Sequence, residues 1–424
     1  MLVLLLIQFL LLMVIGLPIV FAMILSSLSV LTISSPSFLF VIPQRLLFSL
    51  DSYSLLAVPL FLLAGEVMNI GGITRRIIVF ADSLVGHIKG GMCHVNIVIS
   101  MVFAGVSGSS TADAAAVSSV MVPAMLEQGY DEDIAVSVTA ASSTIGPIIP
   151  PSIPLIIYSS ITGLSIGRLF LAGIIPGILF GLSMMVVSYI YAIKRGYPSG
   201  RRRTLKEISK NLVSVLPALA APLVILIGIV GGIFTATEAG GVAVLYSLIV
   251  GLFYGELSLE KLRQVLIKTG KNTAIILIII AASSVLGWIL AVNQFPVMLT
   301  DFLTGISSNA HVIVFIIIAI LLIVGLFIEG LAAMTILVPV LAPIIVLLGY
   351  DPIQFAMVFL LCMSIGAITP PVGLLLFVTC GVTNIPLKNV KHTIWVFALG
   401  MLVITIMIAL FPPLSTFVPT FFMK

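Results

Sequence analysis

Ten long apolar runs, at about 2–32, 51–70, 91–126, 131–163, 168–193, 211–255, 272–292, 310–348, 352–384 and 392–412, take up most of this 424-residue chain. A helix that crosses a bilayer needs about 20 consecutive apolar residues. In lipid every backbone N–H and C=O must find its partner inside the fold, so such runs become helices. The hydrophobic fraction is 61% and the charged fraction 8%, against roughly 25% charged in soluble domains. That gap excludes a soluble enzyme, a disordered scaffold and a nucleic-acid binder. The length accommodates roughly nine to twelve crossings. Cys93, Cys362 and Cys380 all lie in apolar runs and form neither a disulfide framework nor a metal cluster. The N-terminal run is too long for a signal peptide and is read as a retained first span, with Gly16-Leu17-Pro18 either kinking it or turning the chain back.

The net charge of +4 comes from short loops, where it reports orientation. Residues 194–210 hold Lys194, Arg195, Arg201, Arg202, Arg203, Lys206 and Lys210 against Glu207, which makes this linker cytoplasmic. The loop 256–271, with Lys261, Arg263, Lys268 and Lys271, and an amphipathic arm at 73–89, with Arg75, Arg76 and Lys89, belong to the same face. The stretch 294–308 has Asp301 and no Lys or Arg and is placed outside, and Lys388 and Lys391 return the chain to the inside. The runs 91–126 and 310–348 break near Gly105 and near Gly325 to Gly330 into halves shorter than a span. Each therefore predicts a re-entrant hairpin with a buried non-helical tip, the first entering from the cytoplasm and the second from the opposite side.

An internal repeat sharpens this. Gly129-Tyr130-Asp131 recurs 220 residues on as Gly349-Tyr350-Asp351. In the same register Gly146-Pro147-Ile148-Ile149-Pro150-Pro151 falls on Gly366-Ala367-Ile368-Thr369-Pro370-Pro371, Pro123 on Pro343 and Gly105 on Gly325. The loop charges orient the two copies oppositely, and inverted repeats with paired broken helices are the architecture of secondary transporters. Each diproline lacks amide hydrogens and disfavours helix at the residue before it, so each must interrupt its span. The freed carbonyls need partners, which a neighbouring hairpin tip can supply. Such an all-oxygen cage suits sodium, and the half-helix N-termini beside it favour an anion.

The first tip, Gly105-Val106-Ser107-Gly108-Ser109-Ser110-Thr111-Ala112-Asp113, packs hydroxyls and an acid into a stretch that lipid would penalise unless they were satisfied. Ser142, Ser143 and Thr144 precede the facing break. In the second half, Glu329 sits between Gly325 and Gly330, opposite Ser364, Gly366 and Thr369. Glu329 can ligate a cation, take a proton or cap the following half-helix, and the sequence leaves these open. Glu66, Asp131 and Asp351 read as structural, and so does Glu238, in the first turn of a helix capped by Thr235 or Thr237. No basic residue falls in the expected core, so an anionic solute must be held by helix ends, hydroxyls and co-bound cations. His87, His94, His311 and His392 lie near run ends and make no metal pair. Gly105-Val106-Ser107-Gly108 also matches the nucleophile motif of rhomboid-type intramembrane proteases, but a nucleophilic Ser107 needs a base within reach. That reading explains neither the second tip nor the repeat. A channel is disfavoured by two dead-end tips.

The runs LLAGEVMNIGG (62–72), GVSGSSTADAAAV (105–117), IGPIIPPSIPLIIY (145–158), FTATEAGGVA (234–243) and SIGAITPPVG (364–373), in this order, resemble the large membrane subunit of tripartite ATP-independent periplasmic (TRAP) transporters, the DctM-like family. The likeness covers essentially the whole chain. It implies a multi-pass protein of the bacterial inner membrane that uses a sodium gradient to import an organic acid such as a C4-dicarboxylate or sialic acid. It also implies two partners, a periplasmic substrate-binding protein (DctP-like) that delivers the solute and a small four-span membrane subunit (DctQ-like). The second tip, Ile328-Glu329-Gly330-Leu331-Ala332-Ala333, departs from the Asp followed shortly by Thr-Pro that many relatives have there.

The expected fold is all-α and polytopic, with two inverted repeats, about nine to eleven spans, two re-entrant hairpins and an elevator-type division into scaffold and transport domains. The first repeat takes 1–193, with its hairpin at about 91–126 and broken span at 131–163. The linker takes 194–210; a linking span and second repeat take 211–424, with a hairpin at about 310–348 and broken span at 352–384. The elevator division is what the resemblance implies, with the moving domain at about 90–193 and 310–412 and the scaffold in the remainder. The sodium candidates are Gly105, Ser107, Ser109, Ser110, Thr144, Gly146, Pro147, Gly325, Glu329, Ser364, Gly366 and Thr369. The solute candidates are Ser110, Thr111, Asp113, Pro150, Pro151, Gly330, Pro370 and Pro371. Proton coupling on the same fold is the variant reading, and no catalytic residue is assigned.

Overall fold

In lipid, apolar side chains gain nothing by meeting one another, so helices associate through close packing of small residues and through polar contacts. The computed structural model shows that logic throughout. It describes residues 1–390 and 392–423. Lys391 and the side chains of Ile73, Thr74, Arg75 and Val106 lie outside the described residues, so the inner-face assignments of Lys391 and Arg75 are not described. The described residues form twenty α-helices with short 3-10 turns and no strand. Seven helices are long and apolar enough to cross a bilayer, or eight if Phe295–Ile306 and Ala310–Gly325, bent by 117°, are taken as one. This count takes single helices, whereas the nine to eleven expected crossings include interrupted ones. The interrupted spans and the N-terminal segment are assembled from helices of 10–17 residues, none of which crosses alone.

At the N-terminus the choice left by Gly16-Leu17-Pro18 falls to a turn. Gly16 adopts φ +90, and the Leu17 N–H reaches back to the Leu12 carbonyl at 3.1 Å, a Schellman closure. Pro18 then starts Ile19–Ser34, which packs on Leu2–Val14.

The 220-residue register persists in three dimensions. The hairpin limbs Gly91–Ser107 and Ser110–Glu127 correspond to Ala310–Gly325 and Gly330–Leu347. The broken span Glu132–Ser143 plus Ile153–Thr162 corresponds to Pro352–Gly366 plus Leu374–Thr383. The amphipathic arm Ile73–Val85 corresponds to Phe295–Ile306, within the stretch 294–308 placed outside from its charges. Contacts across the halves are reciprocal, as a two-fold requires. Ser110–Glu127 packs on Leu374–Thr383, and Gly330–Leu347 packs on Ile153–Thr162.

One helix reads out the relative orientation of the halves. Thr393, at the start of Thr393–Leu410, donates its hydroxyl to Asp133 Oδ2 at 2.6 Å, where the first broken span begins. Near its far end, the Ala409 carbonyl accepts from Tyr350 Oη at 2.8 Å, where the second broken span begins. The rise of the helix from Thr393 to Ala409 puts those contacts about 24 Å apart, so the two broken spans start on opposite faces. The basic segments share the first face. Arg195 bridges Asp131 at 2.9 Å and Asp133 at 2.6 Å. Arg203 reaches Asp82 of the arm at 3.1 Å, and the Gly200 N–H bonds the Gly86 carbonyl at 2.9 Å.

Within each half the tip presses against the break with no room for side chains. A Cβ on Gly366 would lie 2.5 Å from the Gly325 carbonyl carbon, and one on Gly146 would lie 3.2 Å from the Ser110 nitrogen. Gly366→Ala is therefore expected to cost about 1–3 kcal/mol by overpacking. Gly241→Ala, which meets nothing within 4 Å, is the matched control. Thermal melting of the detergent-purified protein, followed by size-exclusion chromatography, should show a clear loss for the first variant and none for the second.

Candidate functional site

Four half-helices begin beside one another near the centre of the fold, and their caps define the site. The first hairpin turns at Gly108, at φ +57, where a Cβ would lie 2.9 Å from the Pro151 carbonyl oxygen. Ser109 is extended and caps Ser110–Glu127, its hydroxyl accepting from the Ala112 N–H at 3.5 Å. The second tip spans 326–329, and Glu329 caps Gly330–Leu347. Its Oε2 accepts from the Leu331 N–H at 3.0 Å and the Ala332 N–H at 3.2 Å. Of the roles the sequence left open for Glu329, capping is the one this geometry displays. Ser152 caps Ile153–Thr162, accepting from the Leu155 N–H at 3.3 Å and donating to the Pro147 carbonyl. Gly373, at φ +51, precedes Leu374–Thr383 with no side-chain cap.

The diprolines explain the breaks only in part. Helix ends at Ser143 and Gly366, several residues before Pro150 and Pro370, and resumes only at Ile153 and Leu374. Both tips and both breaks face a cavity of about 230 Å³. Ser109, Ser110, Thr111, Thr144, Pro147, Gly325, Glu329, Gly330 and Ser364, all candidates from the sequence, line it. At its centre Ser364 Oγ donates to the Thr144 carbonyl at 3.4 Å. These residues are 220 apart, so equivalent positions of the repeat touch, which happens only on the axis relating the halves.

The remaining candidates lie behind this surface. Gly105 packs against Pro222 and the Pro150 carbonyl. Gly146 and Gly366 are the close contacts beneath the tips. The Thr369 hydroxyl donates to Ile365 O at 2.6 Å. Pro150, Pro151, Pro370 and Pro371 shape the breaks without lining the cavity. The Ser107 hydroxyl is engaged by the Ser109 backbone, accepting from its N–H at 3.4 Å. Among the described residues no histidine hydrogen-bonds to it. His94 Nε2 lies 3.2 Å from the Lys89 carbonyl, and His311 sits edge-on to Tyr350. The serine-protease arrangement is thus not assembled.

Asp113 is fully buried, and neither carboxylate oxygen has a hydrogen-bond partner among the described residues. The buried Ser100 of Gly91–Ser107 donates to Ser142 of Glu132–Ser143 at 3.0 Å. Ser142 also bonds Asn96 Oδ1 at 3.2 Å, and Asn96 bonds Thr139 at 2.6 Å. A buried carboxylate without a partner is costly, and a bound cation or proton would relieve that cost. Hydroxyl, carbonyl and carboxylate oxygens are the ligand types that a hard cation such as sodium takes.

Sequence reasoning missed Leu62 and Ile276, which close the cavity from helices outside both hairpins, and the apolar wall of Phe327, Leu331 and Met334. In the sequence these look like any other lipid-facing residues. Other expectations are met. Thr235 and Glu238 form a reciprocal capping box, Glu66 pairs with Lys268 at 2.8 Å, and Asp351 caps Pro352–Gly366. Asp131 departs from that pattern, giving its carboxylate to Arg195 and Tyr197 instead.

The chain matches the family model of the tripartite ATP-independent periplasmic transporter, DctM component, over residues 6–414. It is 39% identical to the sialic acid TRAP transporter large permease protein SiaM of Vibrio cholerae, over 96% of both chains. It is 36% identical to the 2,3-diketo-L-gulonate TRAP transporter large permease protein YiaN of Escherichia coli, over 94% of both. The isethionate TRAP transporter permease protein DctMQ of Oleidesulfovibrio alaskensis is 35% identical, matching 96% of this chain and 65% of its own length. The crystal structure of the Alcanivorax borkumensis YdaH transporter shares the fold, with a TM-score of 0.61 and 16% identity over 91% of both chains. The chain therefore belongs to the DctM family, the large permease components of TRAP transporters. It is an integral membrane permease and not an enzyme.

Glu329→Ala should free the Leu331 and Ala332 amides and weaken the start of the second half-helix by about 0.5–2 kcal/mol. Hydrogen exchange localised to 330–333 should rise in this variant and stay near the parental value in Glu329→Gln, which keeps an acceptor.

Proposed function

We propose that this chain is the subunit that carries solute in a sodium-coupled importer of organic acids, working by an elevator movement. The observation that carries the reading is the convergence of two tips and two breaks on one cavity, with Thr144 and Ser364 in contact on its axis. Interrupted helices expose carbonyls that coordinate cations, and their N-termini favour anions. Hydroxyls from Ser109, Ser110, Thr111 and Thr144 sit among these exposed ends. The orphaned Asp113 carboxylate supports a bound cation behind the first tip.

The cavity wall also supports the elevator. Most of it comes from 90–193 and 310–412, the proposed moving body. Leu62 and Ile276 come from the remainder, so the solute lies at the boundary between the two bodies. The arms Ile73–Val85 and Phe295–Ile306 lead into the two hairpins from the scaffold side. Relatives whose names specify sialic acid, 2,3-diketo-L-gulonate, isethionate and C4-dicarboxylates support an acid as the solute. A DctQ-like small subunit is proposed against the exposed apolar faces of Leu205–Val230 and Ala236–Phe253, where Leu223, Ile227, Leu245 and Leu252 point outward. The relative DctMQ extends well beyond the part this chain matches, which supports a companion membrane component. A DctP-like binding protein would deliver the solute.

Reconstituted uptake with both partners tests the reading. Ser109→Ala and Ser110→Ala should each raise the sodium needed for half-maximal uptake by about tenfold, the equivalent of roughly 1.4 kcal/mol of lost coordination. Unchanged sodium dependence in both variants would remove the ion-site assignment. Asp113 also suits a proton, so uptake driven by a pH gradient with sodium replaced by choline would select the proton-coupled variant. Asp113→Asn should abolish any sodium-induced rise in melting temperature without loss of folded protein.

A further inference from the structure

Resting on the organic-acid reading, we propose that the solute is an acid with one carboxylate and an apolar body, each end held by a different half of the repeat. The observation is the way the two copies have diverged at the cavity wall. The first tip presents Ser109, Ser110 and Thr111 to the cavity; in the 220-residue register the second tip presents Glu329, Gly330 and Leu331. Three hydroxyls are thus matched by a capping acid, a glycine and an aliphatic side chain. Thr144 adds a carbonyl oxygen from the first half, which accepts from Ser364 on the axis, the second half's hydroxyl. The rest of the second half's surface is apolar, with Phe327, Leu331, Met334, Leu360, Val372 and Leu375 on the wall.

This asymmetry restricts what fits. No Lys, Arg or His is among the described residues that line the cavity. One carboxylate can be satisfied at the first tip by hydroxyls and a co-bound cation. A second carboxylate would have to rest against aliphatic side chains beside Glu329, whose own carboxylate already holds the half-helix start. It would meet no basic side chain there and, away from the axial Ser364, no hydroxyl, and it would face the like charge of Glu329. A polyhydroxylated acid would leave its hydroxyls unpaired against the same wall, which is unfavourable. An apolar substituent suffers neither penalty.

The test is calorimetric titration of the full chain in lipid nanodiscs, in sodium-containing buffer, with 4-methyl-2-oxopentanoate, succinate and N-acetylneuraminate as probes. The proposal expects 4-methyl-2-oxopentanoate to bind at least tenfold more tightly than the other two. It expects Leu331→Thr, which returns the first tip's hydroxyl to the second, to narrow that gap by at least threefold. Equal or tighter binding of succinate or N-acetylneuraminate overturns the solute class and leaves the organic-acid reading standing. An unchanged preference in a folded Leu331→Thr variant overturns the assignment of the apolar wall. A monodisperse chain that binds none of the three would remove the class and the organic-acid reading together.

Discussion

The structure depends on one constraint, that backbone polar groups in a bilayer must be satisfied from within the protein. An interrupted helix violates it locally, and the violation is tolerable only where another piece of backbone approaches closely enough to help. Here each hairpin tip does so against the neighbouring break. Gly325 meets Gly366 without an intervening side chain, and Gly146 meets the Ser109–Ser110 backbone. The glycines are therefore less a source of flexibility than a means of bringing main chains together. The cavity, the half-helix ends and the hydroxyls around them all follow from that approach.

The same constraint explains how the polar side chains are used. Ser109, Ser152, Glu329 and Asp351 each spend an oxygen on free amides at a helix start. Thr139, Ser143 and Thr144 return their protons to carbonyls one turn back. Among the described residues Asp113 is a buried carboxylate with neither oxygen engaged, while Ser27, Ser137, Ser188 and Thr269 are buried hydroxyls without a partner. A buried carboxylate costs more than a buried hydroxyl when left alone, so Asp113 is the most expensive of these groups to leave unpaired.

Much of this was legible in the sequence because the repeat is ungapped from hairpin to broken span. A single register of 220 predicted both hairpins and both breaks, and the helix boundaries follow it within a few residues. The polar half of the site was legible for a related reason: Ser109, Ser110 and Thr144 stand out in an apolar chain. The rest was hidden. The extent of the breaks was not readable, because Pro150 and Pro370 mark where helix resumes more closely than where it ends. The apolar wall was not readable because lipid and a cavity select the same residues, so Phe327 and Met334 carry no mark of facing inward. Leu62 and Ile276 join the site only through tertiary packing.

The contact between Thr144 and Ser364 has a consequence of its own. A pocket centred on a dyad is rotationally degenerate at its origin: an identical pair of tips would receive any guest equally well in two poses related by a half-turn. For a carrier that must release cargo in one direction from a defined ion, such ambiguity is a handicap. The divergence of the two tips lifts the degeneracy, so a pocket assembled from two equivalent halves acquires a polarity that neither half alone would give it.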